Sequence, residues 1–146
     1  MPCKFVAGAM CRLLIGLSSL LISLAGCGSE PEGPPIFPVR GKIEFVRGGT
    51  VQELNNVQAI IEFESVDQPG VRAYGEILED GSFTLGSTKD GQPLHEPGVV
   101  AGVHRGRFNL DEEYQDLVAP EFMDAEKSGI TFTAPTEQEV IVKVWR

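Results

Sequence analysis

The stretch "VQAIIEFE", residues 57–64, alternates apolar and polar side chains along most of its length. Val57, Ala59, Ile61 and Phe63 share one face of an extended chain, and Gln58, Glu62 and Glu64 lie mostly on the other. A period of two is typical of a β-strand with one face buried and one face in water. The stretch therefore predicts a half-buried strand.

The same alternation recurs along the rest of the chain from Val39 onward. In "VRGKIEF", residues 39–45, Val39, Gly41, Ile43 and Phe45 alternate with charged residues. Further candidate strands are Val71–Leu78, Ser82–Leu85, Val99–Phe108, Gly129–Thr133 and Glu139–Trp145. About seven short strands separated by turns are typical of a sandwich. We therefore predict an all-β fold, a Greek-key β-sandwich.

Turn residues separate these candidate strands. Asp80-Gly81 lies between two of them and predicts a hairpin, because both residues tolerate positive φ. "KDGQP", residues 89–93, and "QPG", residues 68–70, predict further reversals. The polar segment Asp111–Lys127 predicts a long cross-connection with one or two helical turns, because Pro120 prevents a single long helix.

The first 26 residues have the organisation of a signal peptide. Lys4 and Arg12 are their only charged residues, and the run Leu13–Leu24 that follows is mostly apolar. A transmembrane helix needs about 20 apolar residues, whereas a signal peptide needs about 7–15 after a basic segment. We expect residues 1–26 to direct export and to be removed.

The motif Leu24-Ala25-Gly26-Cys27 resembles the lipobox of bacterial lipoproteins. The resemblance implies cleavage before Cys27, a diacylglyceryl group on its thiol and further acylation, such as palmitate, at the new amino terminus. Two or more acyl chains hold a protein firmly on a lipid bilayer. Gly28, rather than an acidic residue, follows and favours transport to an outer membrane where one exists. The alternative is an incidental cysteine in an ordinary signal peptide.

The composition after Cys27 limits the class of partner. Residues 28–38 contain four prolines and two glycines, which predicts that residues 27–38 form the lipidated cysteine and a flexible linker before a domain at 39–146. Without Lys4 and Arg12 there remain 10 basic and 21 acidic residues, so the formal net charge changes from −9 to −11. Nucleic acid and anionic lipid both require basic patches. We therefore expect no nucleic-acid partner.

An ordered series of motifs resembles small bacterial lipoproteins with a carboxypeptidase regulatory-like domain. The motifs are "PVRGKIEF" from Pro38, "GEILEDGSFTLGSTKDGQ" from Gly75, "APEFMDAEKSGITFTA" from Ala119 and "QEVIVKVW" from Gln138. The resemblance implies a transthyretin-like or immunoglobulin-like sandwich. The chain differs in "VRGGTVQELNN", residues 46–56, a longer first loop than the resemblance leads us to expect.

Catalytic and metal-binding patterns are sparse in this sequence. The candidate ligands are His95, with Glu96 beside it, and His104, which lies near Arg107. A zinc site needs three or four ligands with compatible spacing, and two histidines nine residues apart do not provide them. The hydroxyisourate hydrolases have a similar fold, but their Tyr-Arg-Gly-Ser tail is missing here. The acidic run Asp111–Asp116 does not match a calcium loop, and a weak calcium site is the alternative to a solvated surface.

The sequence thus predicts a non-enzymatic module at the cell envelope, without metal or cofactor, anchored to the bilayer through Cys27. We expect it to contact an unidentified envelope protein or glycan through residues that the sequence does not identify. The alternative is a small hydrolase or metal-dependent binder that uses His95, His104 and Arg107. Trp145 is expected to point outward with Ile141 and to cover a sheet edge.

Overall fold

The structure of the chain is a computed structural model that describes residues 33–94 and 96–146. The folded unit that they form runs from Pro34 to Arg146. The predicted signal peptide, Cys27 and His95 lie outside the described residues. Within those ranges, no helix is both long enough and apolar enough to cross a membrane.

Eleven strands and three short helices make up the described part of the chain. In chain order they are β1 (Ile36–Phe37), β2 (Arg40–Arg47), α1 (Val51–Asn56), β3 (Ile60–Ser65), β4 (Val71–Glu76), β5 (Ser82–Thr84), β6 (Gly86–Lys89), β7 (Gln92–Pro93), β8 (Val99–Val100), β9 (Gly102–Asn109), two 3-10 helices (Glu112–Leu117 and Pro120–Met123), β10 (Thr131–Ala134) and β11 (Val140–Trp145).

The strands form two sheets and a small ribbon. The larger sheet has the order β10-β9-β3-β4-β6-β7, the smaller sheet has the order β11-β2-β5, and β1 pairs with β8 in the ribbon. Strands far apart in the chain are neighbours, since β9 returns to β3 and β11 lies parallel to β2. The antiparallel return of β9 to β3, in the order β9-β3-β4-β6, is a Greek-key connection. The two sheets pack face to face, which confirms the predicted β-sandwich.

The alternating apolar residues of the stretch 57–64 point into a core that lies between the two sheets. Ile61 and Phe63 on β3 are 0 % exposed, and the Phe63 ring centroid lies 6.3 Å from that of Phe83 on β5. Full burial of one such side chain contributes about 1.5–3 kcal/mol. The same core includes Val39, Ile43, Ala73, Leu85, Phe108, Val142 and Val144. The predicted inward faces of β2, β3 and β11 are thus confirmed.

The Asp80-Gly81 turn forms, but the prediction that it closes a hairpin is wrong. The Asp80 carboxylate accepts hydrogen bonds from the N–H and hydroxyl of Ser82, at 2.9 and 2.6 Å. The strands on either side, β4 and β5, belong to different sheets. The turn therefore carries the chain across the sandwich. A two-residue hairpin occurs instead at Asp90-Gly91, where both residues have positive φ.

The segment 46–56, predicted to be a loop, contains the helix α1. Thr50 caps it, because its hydroxyl oxygen accepts the Glu53 N–H at 3.3 Å and lies 3.1 Å from Glu53 Oε2. A Thr-x-x-Glu sequence is the signature of a capping box. Leu54 is 0 % exposed and fixes the helix to the core. With 6 residues the helix is too short to show helical periodicity.

Ile36 and Phe37, which the sequence places in the linker, form the strand β1. These residues are half-buried and pair with Val100 and Val99 of β8. The predicted strand Val99–Phe108 is correspondingly divided into β8 and β9, and Gly102 at the division has a φ of 124°. The folded unit therefore begins before Val39, and the ribbon β1–β8 lies at the point where the linker enters it.

The connection Asp111–Lys127 between β9 and β10 carries the two 3-10 helices, which confirms the predicted helical turns. Pro120 begins the second helix, where its fixed φ and missing N–H are tolerated. Val118 and Phe122 are 2 % and 1 % exposed. The segment therefore covers part of the core in addition to joining two strands.

Replacing Gly41 by alanine is expected to lower the free energy of unfolding by about 2 kcal/mol. An added Cβ would lie 2.2 Å from Phe83 Cζ and 2.7 Å from the Val140 carbonyl oxygen. Gly86→Ala is the matched control, since an added Cβ there has nothing within 4 Å, and should change the value by less than about 0.5 kcal/mol. Urea unfolding measures both, and equal losses would contradict the packing described.

Candidate functional site

His104 and Arg107, the catalytic pair of the alternative prediction, lie on opposite faces of the larger sheet. His104 points into the core and is 0 % exposed, whereas the Arg107 side chain lies on the outer face and is 40 % exposed. Strand residues three apart fall on opposite faces, so the alternation of β9 separates them. They therefore cannot contact the same reacting group. His95, the third member, lies outside the described residues.

His104 is enclosed by strands on several sides. Its ring stacks on Phe132 of β10, with centroids 4.9 Å apart and an interplanar angle of 10°. Nε2 lies 2.9 Å from the Val100 carbonyl oxygen, and within the described residues Nδ1 is buried without a hydrogen-bond partner. Burial lowers the pKa of His104, against the opposing effects of the Val100 bond and the Asp67 charge.

The acidic run Asp111–Asp116 is mostly exposed and begins the first 3-10 helix. Asp116 Oδ2 accepts a hydrogen bond from Arg146 Nη2 at 2.9 Å. In residues 33–94 and 96–146, no three His, Cys, Asp or Glu side chains are grouped so that they could hold a metal ion. The surface offers no calcium-like arrangement of oxygens in this part of the chain.

The prediction that Trp145 points outward with Ile141 is wrong. The β11–β2 register shifts between Val144 and Trp145, and the indole turns toward the core, where it meets Phe122 edge-on at 4.6 Å between centroids. The Arg47 guanidinium lies 5.5 Å from the indole centroid, within cation–π range. Trp145 therefore closes one end of the core.

A buried carboxylate on the outer face of the larger sheet has no counterpart in the sequence prediction. The Glu62 side chain is 4 % exposed, and its oxygens accept hydrogen bonds from Arg72 Nη1 at 3.1 Å and from Arg107 Nη2 at 3.1 and 3.2 Å. Arg107 is its direct cross-strand partner on β9, and Arg72 comes from β4. We refer to Glu62, Arg72 and Arg107 as the arginine cluster.

An open depression of about 420 Å³ lies on the same face and is lined by Gln58, Ile60, Tyr74 and Glu76. We refer to these four residues as the outer-face depression. Tyr74 is the cross-strand partner of Glu62, so the depression adjoins the arginine cluster. Gln58 has a φ of 53° because it ends helix α1 in a Schellman motif, in which the Gln58 N–H donates to the Asn55 carbonyl oxygen and the Ala59 N–H donates to the Leu54 carbonyl oxygen.

The outer-face depression and the arginine cluster present guanidinium, carboxylate, amide and aromatic groups on one face of the sheet. The arginine side chains are 49 % and 40 % exposed although each is paired with Glu62. A guanidinium binds planar anionic or polar groups through several N–H donors, and a tyrosine ring offers an apolar face with a polar end. These groups can therefore form polar and stacking contacts at the surface.

Comparison with known proteins identifies no relative: no family model matches the chain, and no characterised protein or solved structure matches it. The carboxypeptidase regulatory-like assignment therefore rests on the sequence motifs and stays a prediction.

Glu62→Gln is expected to lower the free energy of unfolding by about 1–2 kcal/mol, since it weakens three charge-assisted hydrogen bonds from two arginines that can still reach water. Glu44→Gln is the control, because Glu44 is an exposed strand residue of the smaller sheet and forms no ion pair within the described residues. Urea unfolding of both variants tests the cluster, and an equal loss in the control would refute its specific role.

Proposed function

We propose that the protein is an exported lipoprotein whose β-sandwich is a non-catalytic binding module held at the cell envelope by lipid on Cys27. The motif Leu24-Ala25-Gly26-Cys27, placed directly after a basic and an apolar segment, carries the proposal. Cys3 and Cys11 precede the cleavage point, so Cys27 would be the one cysteine of the mature chain. It would have no partner for an intramolecular disulfide and would be free for acylation.

The length of chain between Cys27 and the folded unit supports a partner close to the membrane. The folded unit begins at Pro34, which leaves residues 28–33 as the connecting segment. At about 3.1 Å per residue in a proline-rich extended chain, they reach roughly 20 Å. A module on so short a connection would meet partners in the envelope beside its own bilayer.

The outer face of the larger sheet is the proposed binding surface, for an envelope protein or a glycan. The outer-face depression and the arginine cluster lie side by side there and offer aromatic, amide, carboxylate and guanidinium groups. The separation of His104 from Arg107 by the sheet favours this non-catalytic role over the hydrolase. The motif resemblance to carboxypeptidase regulatory-like lipoproteins is part of the same proposal.

The anchor is tested by expressing the chain in bacteria fed with a labelled fatty-acid precursor. We expect Cys27→Ser to lose the lipid label and to accumulate the uncleaved precursor, because the thiol forms the thioether. Cys11→Ser is the matched control and should be labelled like the wild type. Label retained by Cys27→Ser, or an unmodified Cys27 in the mass spectrum of the natural product, would end the proposal.

The binding surface is tested by placing a photo-activatable residue at Tyr74 or, as a control on the smaller sheet, at the 44 % exposed Ile141. Irradiation of intact cells should yield a defined adduct from position 74, and glycosidase or protease digestion identifies it as glycan or protein. The adduct should fall at least several-fold when Arg107→Ala is added. Equal adducts from both positions would assign the contact to chance proximity.

A further inference from the structure

The ribbon β1–β8 is one of the two shortest pairings in the described residues, together with β6–β7. It has two residues per strand and belongs to neither sheet, whereas isolated pairs of strands are marginally stable. Val99 and Val100 are nevertheless 0 % exposed, and Ile36 and Phe37 are half-buried. The ribbon therefore covers apolar core, and it depends on contacts with the sandwich to stay in place.

Two side chains fasten the β8 segment to the larger sheet. The Ser87 hydroxyl donates to the Gly98 carbonyl oxygen at 2.6 Å, and His104 Nε2 bonds the Val100 carbonyl oxygen at 2.9 Å. A carbonyl can only accept, so Nε2 carries the proton in this arrangement. The imidazolium keeps its Nε2–H, and the Val100 bond raises the pKa of His104, so protonation acts on this fastening through the burial of the charged ring and not through loss of the hydrogen bond.

The surroundings of His104 suit the neutral ring. With the proton on Nε2, Nδ1 is a bare acceptor, and among the described residues it is buried with no donor or acceptor beside it. Protonating Nδ1 would put a charge and an unsatisfied N–H in an apolar site, which is costly unless the site opens. Because burial is the largest influence on this pKa, and lowers it, the closed site disfavours the imidazolium.

Asp67, in the turn after β3, is the charged group that opposes this effect. Its Oδ2 is already engaged, since it accepts the Val103 N–H at 3.0 Å. Arg105 on the same strand as His104 lies on the outer face of the sheet. The neighbours of His104 on the other elements carry no charge; they are Ser65 on β3, Val100 on β8 and Phe132 on β10.

We propose that His104 is an acid-sensitive clasp, which holds the ribbon β1–β8 on the sandwich when neutral and releases it when protonated. The open ribbon lets the imidazolium reach water and breaks a pairing of two residues per strand, while both sheets remain intact. The folded-state pKa lies below the ordinary value of 6.5, so the open form binds protons more readily. The clasp is therefore complete above about pH 6.5 and weakens by up to about tenfold per pH unit below it.

Release would change the reach of the anchored module, a consequence that rests on the proposed lipidation of Cys27. Residues 34–38 would join residues 28–33 in the connecting segment, which would lengthen it from about 20 Å to about 35 Å when extended. It would also expose Ile36, Phe37, Val99 and Val100. Acid outside the cytoplasm would thus increase the distance that the module can move from the bilayer, and it would expose apolar residues at the end of the module where the connecting segment enters.

Hydrogen exchange of the full chain in detergent micelles tests the clasp. Protection is measured by mass spectrometry at pH 7.5 and 5.5 and corrected for the intrinsic rates. Peptides that contain β1 and β8 should lose up to about tenfold in protection at the lower pH, whereas peptides from β3 should keep theirs. In parallel, the chemical shift of a carbon-13 label in the His104 ring should follow the same midpoint.

Three variants separate the clasp from general loosening. His104→Gln keeps an N–H donor for Val100 without titrating, so its ribbon should be equally protected at both pH values. Ser87→Ala should reduce protection at both pH values and keep the pH dependence, and His95→Gln should behave as the wild type. Each result concerns the ribbon, whereas lipid labelling alone decides the anchor.

A pH dependence that persists in His104→Gln would overturn the clasp. So would a wild-type ribbon that stays protected while the carbon-13 shift shows a charged His104 ring. This second comparison needs no variant and decides the matter even if His104→Gln fails to fold.

Discussion

The sandwich depends on the space that two glycines leave for the ring of Phe83. An added Cβ at Gly41 of β2 or at Gly75 of β4 would lie 2.2 or 3.1 Å from atoms of that ring. Phe83 therefore touches the backbone of its own sheet and that of the opposite one, and it also meets Phe63. Since protein interiors are close-packed, this contact sets the distance between the sheets. The inward residues of β2, β3 and β11 fill the space that remains.

Much of this arrangement could be read from the alternation of side chains. A period of two belongs to each strand by itself, so the inward positions of Ile43, Phe63 and Val142 follow from local sequence. Sheet membership does not, and the Asp80-Gly81 turn therefore looks like a hairpin although it crosses between sheets. The helix α1 was within reach of sequence analysis through Thr50 and Glu53, whose spacing marks a helix start.

The candidate surface could be predicted less well, because it is assembled by pairing between strands. Alternation correctly places Glu62 away from the core, but its burial depends on arginines from β4 and β9 that lie 10 and 45 residues away. Similarly, the inward turn of Trp145 depends on one register shift in β11. The burial of Glu62 and the orientation of Trp145 depend on pairing between strands, so the residue spacing within a single strand does not predict them.

Glu62 and His104 show two ways in which this fold contains a polar group. Glu62 is covered by arginines that neutralise it and meet both of its oxygens, so its charge is compatible with burial. His104 satisfies one nitrogen and, within the described residues, leaves the other alone. The first arrangement stabilises the charged form of Glu62. In the second, as proposed above, the stability of the ribbon β1–β8 depends on whether the His104 ring is protonated.

The parallel pairing of β11 with β2 joins segments about a hundred residues apart, and a contact of such long range forms late and slowly during folding. Until β11 has been synthesised, β2 keeps an open edge and the smaller sheet lacks Val142 and Val144. A nascent chain therefore cannot complete its core before residues 140–145 have been made. Under the export that we propose, this delay would leave the chain unfolded during its passage through a translocation channel, and the sandwich would close afterwards.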